Sequence, residues 1–197
     1  MKIGMILDKE FPPDPRVENE AKILVDNGFD LSIMSFNYGN KSKFENYLGI
    51  KIYRYPIKKM IKKKGTALVN TILDFYTILI TRYIIDFITK NKIDVLHVHD
   101  LHILGAAIEA RKKQDFILIG DLHENYADAI KYYKFSTTFP GNILISPKKW
   151  KRKEKEWISK CDYVVTVVDE MKERVSAFIE KDKIIVYGNY PNLRKFL

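Results

Sequence analysis

Cysteine is nearly absent from this sequence, since Cys161 is the only one among 197 residues. A lone cysteine cannot form a disulfide within the chain, and it supplies no thiolate pair for a structural zinc ion. These absences exclude a disulfide-stapled secreted domain and a zinc finger, and they favour a reducing compartment. Met1 leads directly into the apolar run at 2–7 without a signal-peptide pattern, so we expect a cytoplasmic protein.

Two common nucleotide-binding motifs are also missing. No G-x-G-x-x-G follows the first predicted strand, and no P-loop is present, so the usual backbone grips on a dinucleotide or a nucleoside triphosphate are excluded. Internal repeats and low-complexity segments are absent. Hydrophobic residues make up 46% of the chain, which is enough for a sizeable core. The length suits one ordinary domain or one lobe of a larger protein.

Apolar runs of strand length alternate with segments of helical periodicity. The pattern predicts strands at 2–7, 29–36, 50–57, 95–99, 116–122, 163–168 and 184–187, helices at 15–27, 66–90, 101–113, 148–159 and 169–179, a loop at 38–49 and an irregular stretch at 125–147. Strands that alternate with helices of this length form parallel sheets through right-handed crossovers. We therefore predict an α/β fold, a doubly wound, Rossmann-like parallel sheet of about seven strands flanked by helices, in the order 3-2-1-4-5-6-7.

The helix predicted at 66–90 is apolar and long enough to be compared with a membrane span. Asp74, Arg82 and Asp86 fall inside it, and charges near the centre of a span are costly in lipid. A helix that is buried or lies on a surface is favoured instead.

All four histidines lie at the ends of two predicted neighbouring strands. One segment reads Asp94-Val-Leu-His97-Val-His99-Asp100-Leu-His102, and the other ends in Gly120-Asp121-Leu-His123-Glu124. Ligands of open parallel sheets bind outside the carboxyl ends of the strands. The two strand ends therefore mark a candidate site.

His99 and Asp100 lie where the fourth predicted strand meets its helix. Backbone N–H groups at a helix start favour anions or hydroxyl oxygens, and imidazole donates and accepts hydrogen bonds near neutral pH. The alternative for His99 is a strand-end histidine bonded to the backbone. His97 is interpreted as a packed core residue, and His102 falls in the first turn of the helix.

His123 is the stronger candidate. Gly120 allows a close backbone approach, Asp121 and His123 share one face, and a long irregular segment follows. The alternative is that Asp121 and Glu124 only cap the next turn. Because the histidine spacing does not match a zinc motif, we predict no metal ion.

Arg16 is the third candidate, at the start of a helix that Asp14 should cap. Pro12-Pro13 restricts the preceding loop, and a guanidinium there can bind carboxylate or phosphate in a bidentate manner. The alternative is a surface salt bridge between Arg16 and Glu20.

The net charge is +9, and the excess is concentrated in two lysine-rich segments, 58–64 and 148–153. Basic clusters bind anionic surfaces of several kinds, or they are simply solvated helix ends. We predict no nucleic-acid partner. A basic segment next to a long apolar helix favours an anionic membrane surface, so peripheral association with the inner face of the membrane is expected.

Five segments, in order along the chain, resemble family 4 glycosyltransferases. They are Phe11-Pro-Pro-Asp-Pro-Arg16-Val17-x-x-Glu20, Asp94-Val-Leu-His-Val-His-Asp100-Leu-His102, Asp121-Leu-His123-Glu124, Tyr163-Val-Val-Thr-Val-Val-Asp-Glu170 and Ile185-Val-Tyr-Gly-Asn189-Tyr-Pro191-Asn192. Where many members have a glycine pair after the first strand, this chain has Pro12-Pro13. The departure puts backbone contact with donor phosphates at this loop in doubt.

The resemblance implies the N-terminal half of a two-domain GT-B enzyme that transfers a sugar from a nucleotide-sugar with retention and without a metal ion. Residues 1–192 would form the acceptor-side domain and 193–197 the start of a linker, while the C-terminal donor domain is absent from the chain. The acceptor would be a saccharide or a lipid-linked molecule used in cell-surface polysaccharide or glycolipid synthesis. The isolated domain is expected to be inactive.

The resemblance also assigns roles to residues. His123 matches the catalytic histidine that faces the transferred sugar, and Asn189 matches a donor-proximal asparagine. The residues expected to bind the acceptor or substrate are Arg16, His99, Asp100, His102 and Glu124. Two other functions stay open, a lobe of a sugar-nucleotide epimerase and a non-enzymatic Rossmann-like binding domain.

Overall fold

A computed structural model describes residues 1–139 and 141–188. The strands are β1 Lys2–Ile6, β2 Asp30–Asn37, β3 Phe44–Tyr47, β4 Ile50–Pro56, β5 Val95–His99, β6 Ile117–Leu122, β7 Tyr163–Thr166 and β8 Ile184–Val186. The helices are α1 Pro15–Asp26, α2 Lys59–Leu68, α3 Phe75–Asn91, α4 Leu101–Arg111, α5 Tyr126–Ala129, α6 Lys134–Thr137, α7 Gly141–Leu144, α8 Pro147–Ile158 and α9 Asp169–Val175.

The strands form one sheet in the order β3-β4-β2-β1-β5-β6-β7-β8. Every neighbouring pair is parallel except β3 and β4. The predicted fold class and the order of the seven parallel strands are thus confirmed. The loop predicted at 38–49 is wrong in part, because residues 44–47 form an antiparallel edge strand against β4. This strand is short and half-exposed, so it carries little of the apolar signal that marks the other strands.

The first helix begins and ends as its sequence predicts. The Asp14 side chain accepts hydrogen bonds from the backbone N–H groups of Arg16 and Val17, which leaves fewer unpaired donors at the start of α1. Gly28 follows the helix with a φ of +80°, which glycine adopts without strain.

The single helix predicted at 66–90 is wrong, because the segment contains two helices. Asp74 does not lie inside a helix but caps α3, accepting a hydrogen bond from the Thr77 backbone N–H at 2.9 Å. Asn70, between the helices, has a φ of +64°, which no continuous α-helix accommodates. The helix predicted at 169–179 ends at Val175, and Asp169 is its first residue and not its cap. In the described residues, no helix combines the length and apolar character that crossing a membrane requires.

Helices cover both faces of the sheet. On one face α3, α4 and α8 enclose the larger core, in which Tyr76, Phe87 and Trp150 are buried. On the other face α1 packs through Val17 and Ala21 on the strands. Both faces are therefore occupied, and the carboxyl ends of the parallel strands remain as the edge where polar side chains collect.

Candidate functional site

The register of β5 and β6 brings the polar ends of the two strands together. Residues 97 and 99 of β5 pair with 119 and 121 of β6, so His99 lies directly beside Asp121. Side chains two residues apart on a strand share a face, which places His97 and His123 next to the same pair. We call Asp121, His97, His99 and His123 the Asp121 cluster.

The Asp121 carboxylate is the centre of this cluster and is 1% exposed. Its Oδ2 lies 2.9 Å from His99 Nδ1, 2.9 Å from His123 Nε2 and 3.2 Å from His97 Nε2. Burial alone would raise the pKa of Asp121, but the three imidazoles together hold this pKa well below its usual range. The carboxylate is therefore ionised and orients the ring nitrogens around it.

The imidazole rings of the cluster are close to one another as well. His99 Nδ1 lies 3.2 Å from His123 Nε2, and the His97 and His99 rings stack with centroids 4.5 Å apart. Burial, with the neighbouring His97, lowers the pKa of His99 to about 4. His99 is thus neutral near pH 7, with a proton on the nitrogen that faces Asp121.

Glu20 is a buried carboxylate beside the Asp121 cluster. The sequence suggested only that Glu20 could form a salt bridge with Arg16. Helix α1 places its Oε2 3.9 Å from His99 Nε2. Burial and the charge of Asp121 raise the pKa of Glu20 to about 7. A carboxyl group that titrates near neutrality can donate or accept a proton at physiological pH. The spacing Arg16-x-x-x-Glu20 can be read from the sequence, but the orientation of the Glu20 side chain toward the sheet cannot.

Arg16 is half-buried at the start of α1, on the side of the helix that carries Glu20. Within residues 1–139 and 141–188 the two form no ion pair, so the proposed surface salt bridge is not found. The Arg16 guanidinium still acts over distance and lowers the pKa of Glu20 against the larger effect of burial. Its Nε is buried without a hydrogen-bond partner among the described residues.

His102 belongs to a second polar cluster, which includes Asp8 and Lys62. Asp8 Oδ2 lies 2.6 Å from His102 Nε2 and 2.9 Å from Lys62 Nζ. Burial opposes ionisation of both side chains, yet their mutual attraction lowers the pKa of Asp8 and raises that of His102. The sequence did not single out Asp8, although it follows β1 at the same edge as the histidines.

Asp100 and Glu124 lie at the rim of the site. Asp100 has a φ of +74°, and its backbone N–H donates to the Asp121 carbonyl at 2.9 Å. A positive φ in a non-glycine residue costs energy, which is typical of functional positions. Glu124 is exposed and accepts a hydrogen bond from the Tyr133 hydroxyl at 2.8 Å. Asn189 lies outside the described residues.

Four carboxylate and imidazole groups are close enough to be considered as metal ligands. Glu20, His97, His99 and Asp121 offer ligand atoms that all lie within 4.8 Å of one another. An imidazole nitrogen binds a metal ion in the plane of its ring. Because the His97 and His99 rings are stacked at an interplanar angle of 20°, one nearby ion cannot lie in both planes. The stacked geometry therefore disfavours a metal centre that uses both of these rings.

A family model described as Glycosyltransferase Family 4 matches residues 16–190 of the chain. The match includes every residue of the Asp121 cluster and Glu20. No curated protein sequence matches the chain.

Three solved structures share the fold. Sucrose-phosphate synthase from Thermosynechococcus elongatus superposes with a TM-score of 0.69 at 12% identity, over 98% of this chain and 49% of that protein. UDP-GlcNAc 2-epimerase from Methanocaldococcus jannaschii gives 0.56 at 19% identity, over 96% and 46% of the two chains. The apo structure of OtsA gives 0.57 at 13% identity, over 89% and 42%. The chain thus spans about half the length of these proteins.

Proposed function

Because the chain belongs to glycosyltransferase family 4, we propose that it is the acceptor-side domain of an enzyme that moves a sugar from a nucleotide-sugar to an acceptor. The acceptor is a saccharide or a lipid-linked molecule in the synthesis of cell-surface polysaccharide or glycolipid. The transfer retains the anomeric configuration and uses no metal ion. A second domain holds most of the nucleotide, which is why the chain alone is inactive.

The contact between Asp121 and the His99 and His123 rings is the observation that carries this proposal. Asp121 Oδ2 lies 2.9 Å from His123 Nε2 and orients this ring, which leaves Nδ1 for another partner. His123 Nδ1 has no hydrogen-bond partner among the described residues. An oriented imidazole with one free ring nitrogen suits a sugar hydroxyl at the strand ends.

Burial separates the roles within the cluster. His99 is 1% exposed, so we assign it to positioning His123 and not to direct substrate contact. Arg16 and Asp100 are only half-buried, and they remain our candidates for contacts with the acceptor. Glu124 is exposed, and we assign it to contacts with the acceptor as well. His102 is held by Asp8, so its contribution is to shape the neighbouring surface.

A lobe of a sugar-nucleotide epimerase is the second candidate. It is favoured by the fold likeness to UDP-GlcNAc 2-epimerase. Epimerisation needs only one substrate, whereas transfer needs a donor and an acceptor. Conversion of one nucleotide-sugar into its epimer, without any acceptor, would select this candidate.

Titration calorimetry of the chain with nucleotide-sugars and with a panel of saccharides tests the proposal. We expect nucleotide-sugars to bind weakly and at least one saccharide to bind measurably. His123→Ala should weaken saccharide binding, while Cys161→Ala, a buried thiol next to Trp157, should leave it unchanged. Micromolar affinity of the chain alone for a nucleotide-sugar would overturn this assignment of roles.

A further inference from the structure

The segment between β4 and the first turn of α3 combines unpaired cations with exposed apolar side chains. We call residues 58–78 the basic hairpin, because α2 and α3 pack against each other through Gly65 and Tyr76. We propose that the basic hairpin docks this protein on an anionic lipid bilayer. The inference does not depend on the transfer chemistry.

The apolar part of the hairpin lies at the turn between the helices. Ile72 is 89% exposed and Ile78 is 58% exposed, with Leu73 and Phe75 also exposed between them. Four large apolar side chains are thus exposed within seven residues, which soluble surfaces seldom present without a partner. Other apolar side chains of α3 already have packing partners, because Tyr76, Ile80, Ile84 and Phe87 are buried against the sheet.

The cations of the hairpin are available for an external partner. Among the described residues Lys58, Lys63 and Lys64 have no carboxylate within 4.0 Å, whereas Lys62 pairs with Asp8. Lys58 precedes the 10-residue helix α2, which is about 15 Å long, and Lys63 and Lys64 lie on this helix between Lys58 and the apolar turn. In the second lysine-rich segment Lys151 pairs with Asp128 and Lys153 with Glu156, whereas Lys148, Lys149 and Arg152 have no carboxylate within 4.0 Å among the described residues.

Charge and apolar exposure together select a lipid surface. Nucleic acid would pair with the lysines, but it offers nothing to the apolar turn. An anionic bilayer offers headgroup charge to the lysines and acyl chains to Ile72 and Phe75. The Lys62–Asp8 contact ties the hairpin to the carboxyl end of β1, so docking brings lipid to the edge of the sheet that carries the Asp121 cluster.

Vesicle co-sedimentation of the 197-residue chain tests this inference. Vesicles of phosphatidylcholine alone are compared with equal parts of phosphatidylcholine and phosphatidylglycerol, at low and high salt. We expect binding to the anionic vesicles only, with loss at high salt. The triple change Lys58→Gln, Lys63→Gln and Lys64→Gln should weaken binding by about a hundredfold, since each lysine near an anionic surface contributes about fivefold.

Two matched controls separate the hairpin from general charge and hydrophobicity. Lys148→Gln, Lys149→Gln and Arg152→Gln remove the same charge from the second segment and should leave binding nearly unchanged. Ile72→Ser with Leu73→Ser should weaken binding at least about tenfold, whereas Leu48→Ser with Ile185→Ser, also exposed, should not.

Equal recovery in the supernatant under all conditions would overturn the inference. Equal losses from the hairpin and control variants would do the same. Two further results would replace the bilayer with another partner, namely tighter binding to nucleic acid than to the anionic vesicles, and self-association that the hairpin variants abolish in sedimentation velocity.

Discussion

At the level of single residues, the Asp121 carboxylate determines how the neighbouring imidazoles are arranged. It lies within 3.2 Å of nitrogens from His97, His99 and His123, and burial makes each of these contacts stronger than it would be in water. The sequence predicted that His99 and His123 would approach each other, because adjacent parallel strands end at one edge. It did not identify Asp121 as the group that all three rings share.

Glu20 provides a pH-dependent test of the site. The free carboxyl ionises near 4.5, whereas the folded protein raises its pKa to about 7. Between these values the unfolded state loses a proton that the folded state keeps, so Glu20 destabilises the fold progressively as pH rises. Glu20→Gln should therefore gain stability over the wild type from pH 4.5 to 7, by up to about 3 kcal/mol, and then level off.

Urea unfolding of both proteins across this pH range measures the difference directly. A constant difference between Glu20→Gln and the wild type would show that the carboxyl titrates normally. A difference that shrinks with rising pH would contradict the predicted sign.

The stacked His97 and His99 rings lead to a prediction about metal. We expect dialysis against EDTA to leave the melting temperature and saccharide binding unchanged, because no single ion can lie in both ring planes. Elemental analysis of the purified chain before and after dialysis is the accompanying measurement. A stoichiometric metal lost together with stability would contradict the account.

At the level of secondary-structure elements, the strong apolar strands were predictable and the short polar ones were not. The continuous apolar runs of β1, β2, β5 and β6 predicted these strands, because strands buried on both faces are apolar along their length. Strand β3 was missed, since its stability depends on pairing with β4 and not on its own composition. The break between α2 and α3 was missed because the apolar periodicity continues across Asp74.

The packing of α4 against α8 depends on a glycine. A Cβ added at Gly105 would lie 2.6 Å from Cζ2 of the buried Trp157 ring. Gly105→Ala should gain about 1 kcal/mol in helix propensity but lose more through overpacking, for a net cost of about 1–2 kcal/mol. Thermal unfolding should show a melting temperature lower by roughly 3–6 °C.

Glu109→Ala is the matched control, because Glu109 is exposed on the same helix. It should change stability by no more than about 0.5 kcal/mol. An unchanged or raised melting temperature for Gly105→Ala would mean that Trp157 moves aside at little cost.

At the level of the whole molecule, the order of the strands follows from chain connectivity and the handedness of crossovers. This is why the sheet and the edge that carries the site could be predicted from strand–helix alternation alone. The positions of Glu20 and Asp8 could not be predicted, because they depend on how α1 packs and on where the loop after β1 turns. The division of labour between two domains came from the family resemblance, and it remains a proposal.

Nucleotide release from nucleotide-sugars, in the presence of acceptor saccharides, tests the central claim most directly. The assay compares the chain alone with a protein that carries both GT-B domains. We predict no turnover from the chain alone and clear turnover from the two-domain protein. His123→Ala in that protein should lower turnover by at least about a hundredfold while its melting temperature changes little. Transfer by the chain alone, or wild-type turnover by His123→Ala, would contradict the account.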